Sequence, residues 1–112
     1  GQKKEAAAAL RNLAHNAGNK VAIAKQGGIA PLVALATSGT AGQKEMAAAA
    51  LANLAIDADN EVAIAKQGGI APLVALAASG TDGQKKNAAA ALRNLAHDAD
   101  VKRQIHDAGY SL

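Results

Sequence analysis

The chain has 112 residues and half of them are hydrophobic, but 32 residues are alanine and only 1% are aromatic, so any core must be thin and built from closely approaching helices. The formal net charge is +3, with 12 basic and 9 acidic residues interspersed, which argues against a nucleic-acid-binding arm. The absence of cysteine excludes disulfides and thiolate chemistry, and no apolar run is long enough to suggest a membrane segment.

The sequence is an internal repeat. Gly-Gln-Lys occurs at Gly1, Gly42 and Gly83, which sets a period of 41 residues, and the first two copies are identical at 32 of 41 positions. The third copy follows the pattern as far as Asp100 and then diverges. A period of about 40 residues is typical of stacked helical repeats. Such close similarity between neighbouring copies indicates either recent duplication or a consensus design.

A long helix opens each copy, because apolar residues recur along one stripe and polar residues along the opposite one. The segment Ala6–Ala14 carries this pattern and returns at residues 47–55 and 88–96. The long helices are predicted at about residues 2–17, 43–58 and 84–99.

A short helix follows, with Asn19 and Asp100 placed as N-caps in the first and last copies. A pair of glycines then allows a sharp corner. Another helix, which we call the buried helix, starts near Ile29 and Ile70 with proline in its first turn. This helix is apolar nearly all round, so it is predicted to be the most buried. The short helices are predicted at residues 20–26, 60–67 and 101–108.

The short helix, the Gly-Gly corner, Ile-Ala-Pro-Leu-Val-Ala-Leu and Ala-Leu-x-Asn-Leu-Ala together resemble the armadillo repeat family over essentially the whole chain. HEAT repeats, which lack the short first helix, are the lesser alternative. The resemblance implies an all-α, right-handed solenoid whose units contain a short, a buried and a long helix. The single domain 1–112 then starts at the third, long helix of one unit and ends after the first, short helix of another. Its predicted parts are a leading helix at 1–17, units at 19–58 and 60–99, and a trailing helix and tail at 100–112.

In armadillo proteins such as importin-α and β-catenin, the third helices line a concave groove that binds extended peptides, and a ladder of asparagines holds the peptide backbone. The resemblance assigns this role to Asn12, Asn53 and Asn94. An amide offers a donor and an acceptor together, so it can satisfy both polar groups of one peptide unit. Simple solvation of these asparagines is the alternative interpretation.

The pattern departs from importin-like grooves, which carry tryptophan four residues before the asparagine. Those positions are Ala8, Ala49 and Ala90 in this chain. Tryptophan walls hold the aliphatic parts of lysine and arginine side chains, so their absence argues against recognition of basic nuclear-import signals.

The same face is basic at both ends and apolar in the middle, where Ala52 and Ile56 stand. We therefore expect a protein or peptide ligand in extended conformation, with an apolar centre and acidic flanks. Solvated basic side chains around a packed Ile56 are the alternative. The basic residues of the two ends are Arg11, His15, Arg93 and His97.

The ends of the array form a second candidate surface, because a solenoid needs terminal units with a polar outer face. The leading helix lacks the two helices that normally precede it, and the trailing helix is short although partly polar. If bare apolar ends associate, a homodimer or a higher head-to-tail oligomer results. The residues expected to be poorly covered are Ala7, Ala14, Leu92, Leu95, Tyr110 and Leu112.

No motif indicates catalysis. The three histidines do not share a metal-ligand spacing, no serine or threonine has a nucleophile motif, and Gly39–Lys44 lacks the spacing of a phosphate-binding loop. We predict no enzymatic activity, no metal and no cofactor. Without aromatic side chains to stack bases, nucleic acid is not an expected partner.

The expected function is a non-enzymatic protein-interaction scaffold. The alternative is a structural or designed repeat whose only partner is itself. A natural chain with no signal peptide and no cysteine is expected in the cytoplasm or nucleus.

Overall fold

The computed structural model describes residues 27–112, which contain six α-helices and no strand. The leading long helix and the first short helix predicted from the sequence lie outside the described residues. The helices are α1 (Ile29–Ser38), α2 (Ala41–Leu54), α3 (Ala58–Lys66), α4 (Ile70–Ser79), α5 (Asp82–Leu95) and α6 (Ala99–Asp107).

Helices α3, α4 and α5 form one unit of short, buried and long helix, where buried is kept only as the name of the middle helix. Helices α1 and α2 are the buried and long helices of the unit before it, and α6 is the short helix that comes after it. The long helices α2 and α5 pack against each other, and each also packs against the buried helix that precedes it. The two described long helices therefore lie side by side.

The prediction that the buried helix of each unit is the most buried is wrong. Helices α1 and α4 each bury three of their ten residues, whereas α2 buries seven of fourteen. The difference arises because alanines of α4 such as Ala71 and Ala75 are exposed.

The core combines large aliphatic side chains with alanine. Alanines such as Ala48 and Ala91 are completely buried, which lets neighbouring helices approach closely. Burying each leucine or isoleucine contributes about 1.5–3 kcal/mol. The large side chains with no solvent exposure are Ile29, Leu32, Leu51, Leu54, Ile64, Leu73, Leu92, Leu95 and Ile105.

Two glycines shape the corner between α3 and α4, whose axes differ by 88°. Gly68 has φ +81°, a left-handed conformation that favours glycine. The N–H groups of Gly68 and Gly69 donate to the carbonyls of Ala65 and Ile64, at 3.2 and 2.9 Å, and so close the helix in a Schellman motif. A Cβ on Gly69 would lie 2.5 Å from Cγ2 of Ile64, so only glycine fits there.

The long helices begin two residues earlier than predicted, because a capping box precedes each of them. Thr81 accepts from the Gln84 N–H at 3.2 Å, and the Gln84 side chain accepts from the Thr81 N–H at 2.9 Å. Thr40 and Gln43 make the same pair before α2. The Thr-x-x-Gln pattern is a known signature of a helix start.

The long helices also end earlier than predicted, at Leu54 and Leu95, because Asp57 and Asp98 begin the next helix as N-caps. The predicted cap at Asp100 is therefore wrong. Asp100 lies in the first turn of α6 and pairs with Arg103 at 3.0 Å. The division of the domain into units stays a prediction.

The expectation that Leu92 and Leu95 are poorly covered is wrong. Both have no solvent exposure, because α6 and the tail close over the end of α5. Tyr110 is half-buried against the core, whereas Leu112 is 53% exposed. The exposed face of α6 carries polar residues, so this end presents little apolar surface apart from Leu112.

Within residues 27–112, no single helix is long and apolar enough to cross a membrane. Taken together across the bend between them, α3 and α4 have the length and apolar composition of a span.

Candidate functional site

The candidate site is the side of α2 and α5 that carries the predicted ladder. We call it the long-helix face and define it by eight residues. The asparagines and the alanines at the tryptophan positions are half-buried, whereas Ile56 and the three basic side chains are exposed. The long-helix face comprises Ala49, Asn53, Ile56, Lys86, Ala90, Arg93, Asn94 and His97.

Part of the predicted site cannot be placed in the structure. The first repeat contributes four predicted groove residues and two predicted end residues, and all six lie outside the described residues. These six residues are Ala7, Ala8, Arg11, Asn12, Ala14 and His15.

Asn94 connects the two long helices. Its Nδ2 donates to the main-chain carbonyl of Ala52 at 2.9 Å. That carbonyl belongs to the last turn of α2, where helical carbonyls have no partner within the helix. Within residues 27–112 nothing donates to Oδ1 of Asn94, so one acceptor and one amide hydrogen remain available to a ligand. The equivalent partner of Asn53 is residue 11, which is not among the described residues.

Two further side-chain amides connect the same pair of helices. Nε2 of Gln84 donates to the Ala41 carbonyl at 3.0 Å, while its Oε1 serves the capping box. Nδ2 of Asn87 donates to the Glu45 carbonyl at 3.2 Å. Together with Asn94, these bonds fix α5 along the length of α2 and so set the positions of the two rungs relative to each other.

His97 lies in the turn after α5, and its ring is oriented by two acceptors. Nδ1 lies 3.0 Å from the main-chain oxygen of Asn94 and 3.6 Å from Oε1 of Glu61 on α3. The Glu61 side chain is 5% exposed, whereas the His97 side chain is 74% exposed. The sequence alone indicates no role for Glu61, because 36 residues separate it from His97 and no local pattern connects them.

The charge of the face changes between the two helices. Ile56 is 58% exposed at the position that His97 occupies in the next copy. Ala52 is only 8% exposed, whereas Arg93, its counterpart, is exposed. The carboxylate of Glu45 lies against Gly83 in the first turn of α5, where the helix dipole favours an anion.

In the described part of the chain, no three histidine, aspartate or glutamate side chains come together as metal ligands. The face can therefore offer hydrogen bonds, cations and apolar contact to a ligand.

The family match covers two consecutive segments. Residues 16–56 and residues 57–97 each match the family described as Armadillo/beta-catenin-like repeat. No curated protein matches the chain.

Several similar solved structures are engineered proteins. One, an engineered protein of the Northeast Structural Genomics Consortium, has a TM-score of 0.89 and 38% identity, over 95% of this chain and 44% of that one. The designed armadillo repeat protein YIII(Dq)4CqI has a TM-score of 0.88 and 26% identity, over 95% of this chain and 46% of that one.

The designed armadillo repeat protein YIII(Dq.V1)4CPAF, solved in complex with the peptide (KR)4, has a TM-score of 0.87 and 27% identity, over 95% of this chain and 46% of that one. The chain thus spans less than half the length of these relatives. Because the two tandem matches cover most of the chain and its helices follow the short, buried and long order, the chain belongs to the armadillo/β-catenin-like repeat family.

Proposed function

We propose that this protein is a non-enzymatic interaction module that binds an extended peptide along the long-helix face. The observation that carries the proposal is the placement of Asn53 and Asn94 at equivalent positions of two packed helices, both half-exposed. Asn94 keeps an acceptor and one amide hydrogen beyond its bond to Ala52. Those are the two groups that a peptide unit needs to be held by its backbone.

The spacing of the rungs suits an extended chain. Packed helices have axes about 8–10 Å apart, and an extended chain advances about 3.3 Å per residue. One repeat therefore corresponds to between two and three residues of ligand. A helical ligand advances only about 1.5 Å per residue, which is too little for this spacing. Its backbone N–H and C=O groups also bond one another within the helix, so they are not available to the asparagines.

The side chains between the rungs suggest which ligand is preferred. Ile56 offers exposed apolar surface beside the first rung, and Arg93 and His97 offer donors beside the second. We propose a ligand with an apolar side chain near Ile56 and an acidic side chain near Arg93.

The peptide bound by the designed relative supports the class of ligand but not its charge. That relative is a designed armadillo repeat protein in complex with (KR)4, a basic peptide. The exposed cations Lys86 and Arg93 of this chain repel lysine and arginine side chains. We therefore propose that this chain binds a peptide as that relative does, but that it prefers acidic side chains over basic ones.

A fluorescence-anisotropy screen of end-blocked, labelled peptides with apolar centres and acidic flanks tests the proposal. The best binder is then measured with Asn53→Ala and Arg93→Ala, the second of which copies Ala52 of the preceding repeat. Each variant is expected to weaken binding about tenfold, the size of one charge-assisted or buried hydrogen bond. Arg103→Ala is the matched control, because it removes the same charge from the exposed side of α6.

Equal affinity for all four proteins contradicts binding on this face, and the absence of any binder contradicts the module itself. A salt titration from about 50 to about 200 mM distinguishes peptide recognition from nucleic-acid binding, which loses affinity steeply with salt.

Self-association remains the second candidate, but its support at the described end is limited to Leu112. That residue is 53% exposed, whereas Leu92 and Leu95 are buried. Light scattering across a concentration series tests it, and the mass of a monomer at every concentration contradicts it.

A further inference from the structure

Glu61 is a buried carboxylate with a histidine beside it. The residue is 4% exposed, and within residues 27–112 it forms one ion pair, with Nδ1 of His97 at 3.6 Å. A buried carboxylate is costly unless a positive group or hydrogen-bond donors compensate it. The contact therefore favours a proton on the side of His97 that faces the protein interior.

The neighbours of Nδ1 fix which nitrogen carries that proton. The main-chain oxygen of Asn94, 3.0 Å away, can only accept, and an ionised Glu61 can only accept as well. Nδ1 therefore carries the proton and donates to the Asn94 oxygen, and the Glu61 carboxylate lies within ion-pair distance of it. Nε2 lies on the opposite edge of the ring, and the His97 side chain is 74% exposed. Nε2 is therefore the ring nitrogen that can meet a ligand.

The pair is particular to one position of the array. One repeat earlier, the counterparts of His97 and Glu61 are Ile56 and Lys20, and the third copy carries Lys102 in place of Glu61. A purely structural requirement of the stack would apply at every junction. Of the two junctions for which the sequence contains both positions, only the second has a carboxylate and a histidine there.

We propose that His97, positioned by Glu61, determines ligand specificity by donating from protonated Nε2 to a carboxylate of the bound peptide, so that binding takes up a proton. This inference rests on the proposed function and identifies His97 as the residue that binds the acidic side chain of the ligand. The imidazole receives the proton from solvent at Nε2, and no other bond forms or breaks. Glu61 is a positioning residue, because it acts on the ligand only through His97.

Three charged groups lie around His97. Glu61 approaches from α3 and places Oε1 3.6 Å from Nδ1. Asp98 follows in the chain, but its Oδ1 accepts the Val101 N–H at 3.0 Å as the cap of α6. Arg93 is exposed one helical turn earlier on the same face. A ligand carboxylate near both residues can accept from Arg93 and from His97.

The orientation of the ring is tested in the free protein. Nitrogen chemical shifts of the histidine rings near pH 8, where imidazole is neutral, are expected to show the Nδ1–H form for His97. His106, exposed on α6 with no ring partner among the described residues, is the internal control and should show a mixture. Glu61→Gln should shift His97 toward that mixture. An Nε2–H form in the wild-type protein overturns the inference without reference to any ligand.

The proton linkage is tested by titration calorimetry with an end-blocked acidic peptide taken from the screen, in two buffers of different ionisation heat. The wild-type protein is expected to bind about tenfold more tightly near pH 6 than near pH 8, the size of one charge-assisted hydrogen bond. A net uptake of up to one proton per complex should accompany binding near neutral pH. His97→Ile, which copies Ile56, should bind with no such dependence, and Glu61→Gln should reduce it.

The outcomes separate the two proposals. Binding that is independent of pH and unchanged in Glu61→Gln overturns the role of His97 while the peptide-binding function stands. Absence of binding by every variant and by the wild-type protein overturns both. Because the pH profile and the nitrogen shifts of the wild-type protein need no variant, the decision does not depend on whether the variants fold.

Discussion

The side-chain amide of Asn94 donates to the main-chain carbonyl of Ala52, 2.9 Å away, so a residue predicted to hold a ligand also holds two repeats together. The two functions use different atoms. One amide hydrogen satisfies the end of α2, while Oδ1 and the second hydrogen remain for a ligand. A polar residue on a repeat surface can thus be required by the stack before any partner binds.

Asn94→Ala is expected to lower the free energy of unfolding by about 1–2 kcal/mol, because the Ala52 carbonyl loses its donor in a partly buried place. Asn87→Met is the matched control. It removes an exposed amide bond to the Glu45 carbonyl and copies Met46, so the loss should stay within about 0.5 kcal/mol. Urea denaturation measures both, and equal losses would contradict the special position of Asn94.

Thr81→Ala is expected to lower the free energy of unfolding by about 1 kcal/mol, because the Gln84 N–H loses its acceptor at the start of α5. Thr81→Ser keeps the hydroxyl and should change stability by less than about 0.5 kcal/mol. Thermal unfolding followed by circular dichroism compares the two variants. A loss in Thr81→Ser as large as that in Thr81→Ala would show that the methyl group, not the cap, is what matters.

Gly69→Ala is expected to lower the free energy of unfolding by about 1–3 kcal/mol, because the added Cβ lies 2.5 Å from Cγ2 of the buried Ile64. Gly68→Asn is the neighbouring control. Nothing lies within 4 Å of a Cβ at Gly68, and asparagine tolerates the left-handed conformation, so its loss should be under about 1 kcal/mol. Chemical denaturation of both variants tests the order, and the reverse order would contradict the close packing of this corner.

Leu95→Ala is expected to lower the free energy of unfolding by about 2–5 kcal/mol, because the side chain has no solvent exposure and its removal leaves a cavity. Leu112→Ala, at a position that is 53% exposed, should change stability by less than about 0.5 kcal/mol. Equilibrium unfolding measures the difference. A small loss in Leu95→Ala would restore the expectation that this end of α5 is poorly covered.

The peptide (KR)4, which the designed relative binds, is expected to bind this protein at least about tenfold more weakly than the best acidic peptide from the screen, because Lys86 and Arg93 repel its side chains. Anisotropy titration at matched ionic strength measures both affinities. Arg93→Ala should reduce the difference between the affinities for the acidic peptide and for (KR)4. Tighter binding of (KR)4 by the wild-type protein would contradict the charge preference that we propose.

The sequence by itself determined the repeat, the all-α fold and the approximate position of every described helix. These follow from local information, because a helix is specified by apolar periodicity and by the Gly, Pro, Asp and Thr residues at its ends. The capping boxes at Thr40 and Thr81 are also readable from the Thr-x-x-Gln spacing, which is a local signature of a helix start.

Only the tertiary structure decided how neighbouring repeats use their surface side chains. The bond from Asn94 to Ala52 joins residues 42 apart in the chain, and the contact between His97 and Glu61 joins residues 36 apart. The burial of Leu92 likewise depends on α6 and the tail closing over α5. Such relationships arise from the packing of one unit on the next, and the sequence of a single unit contains no signal that specifies them.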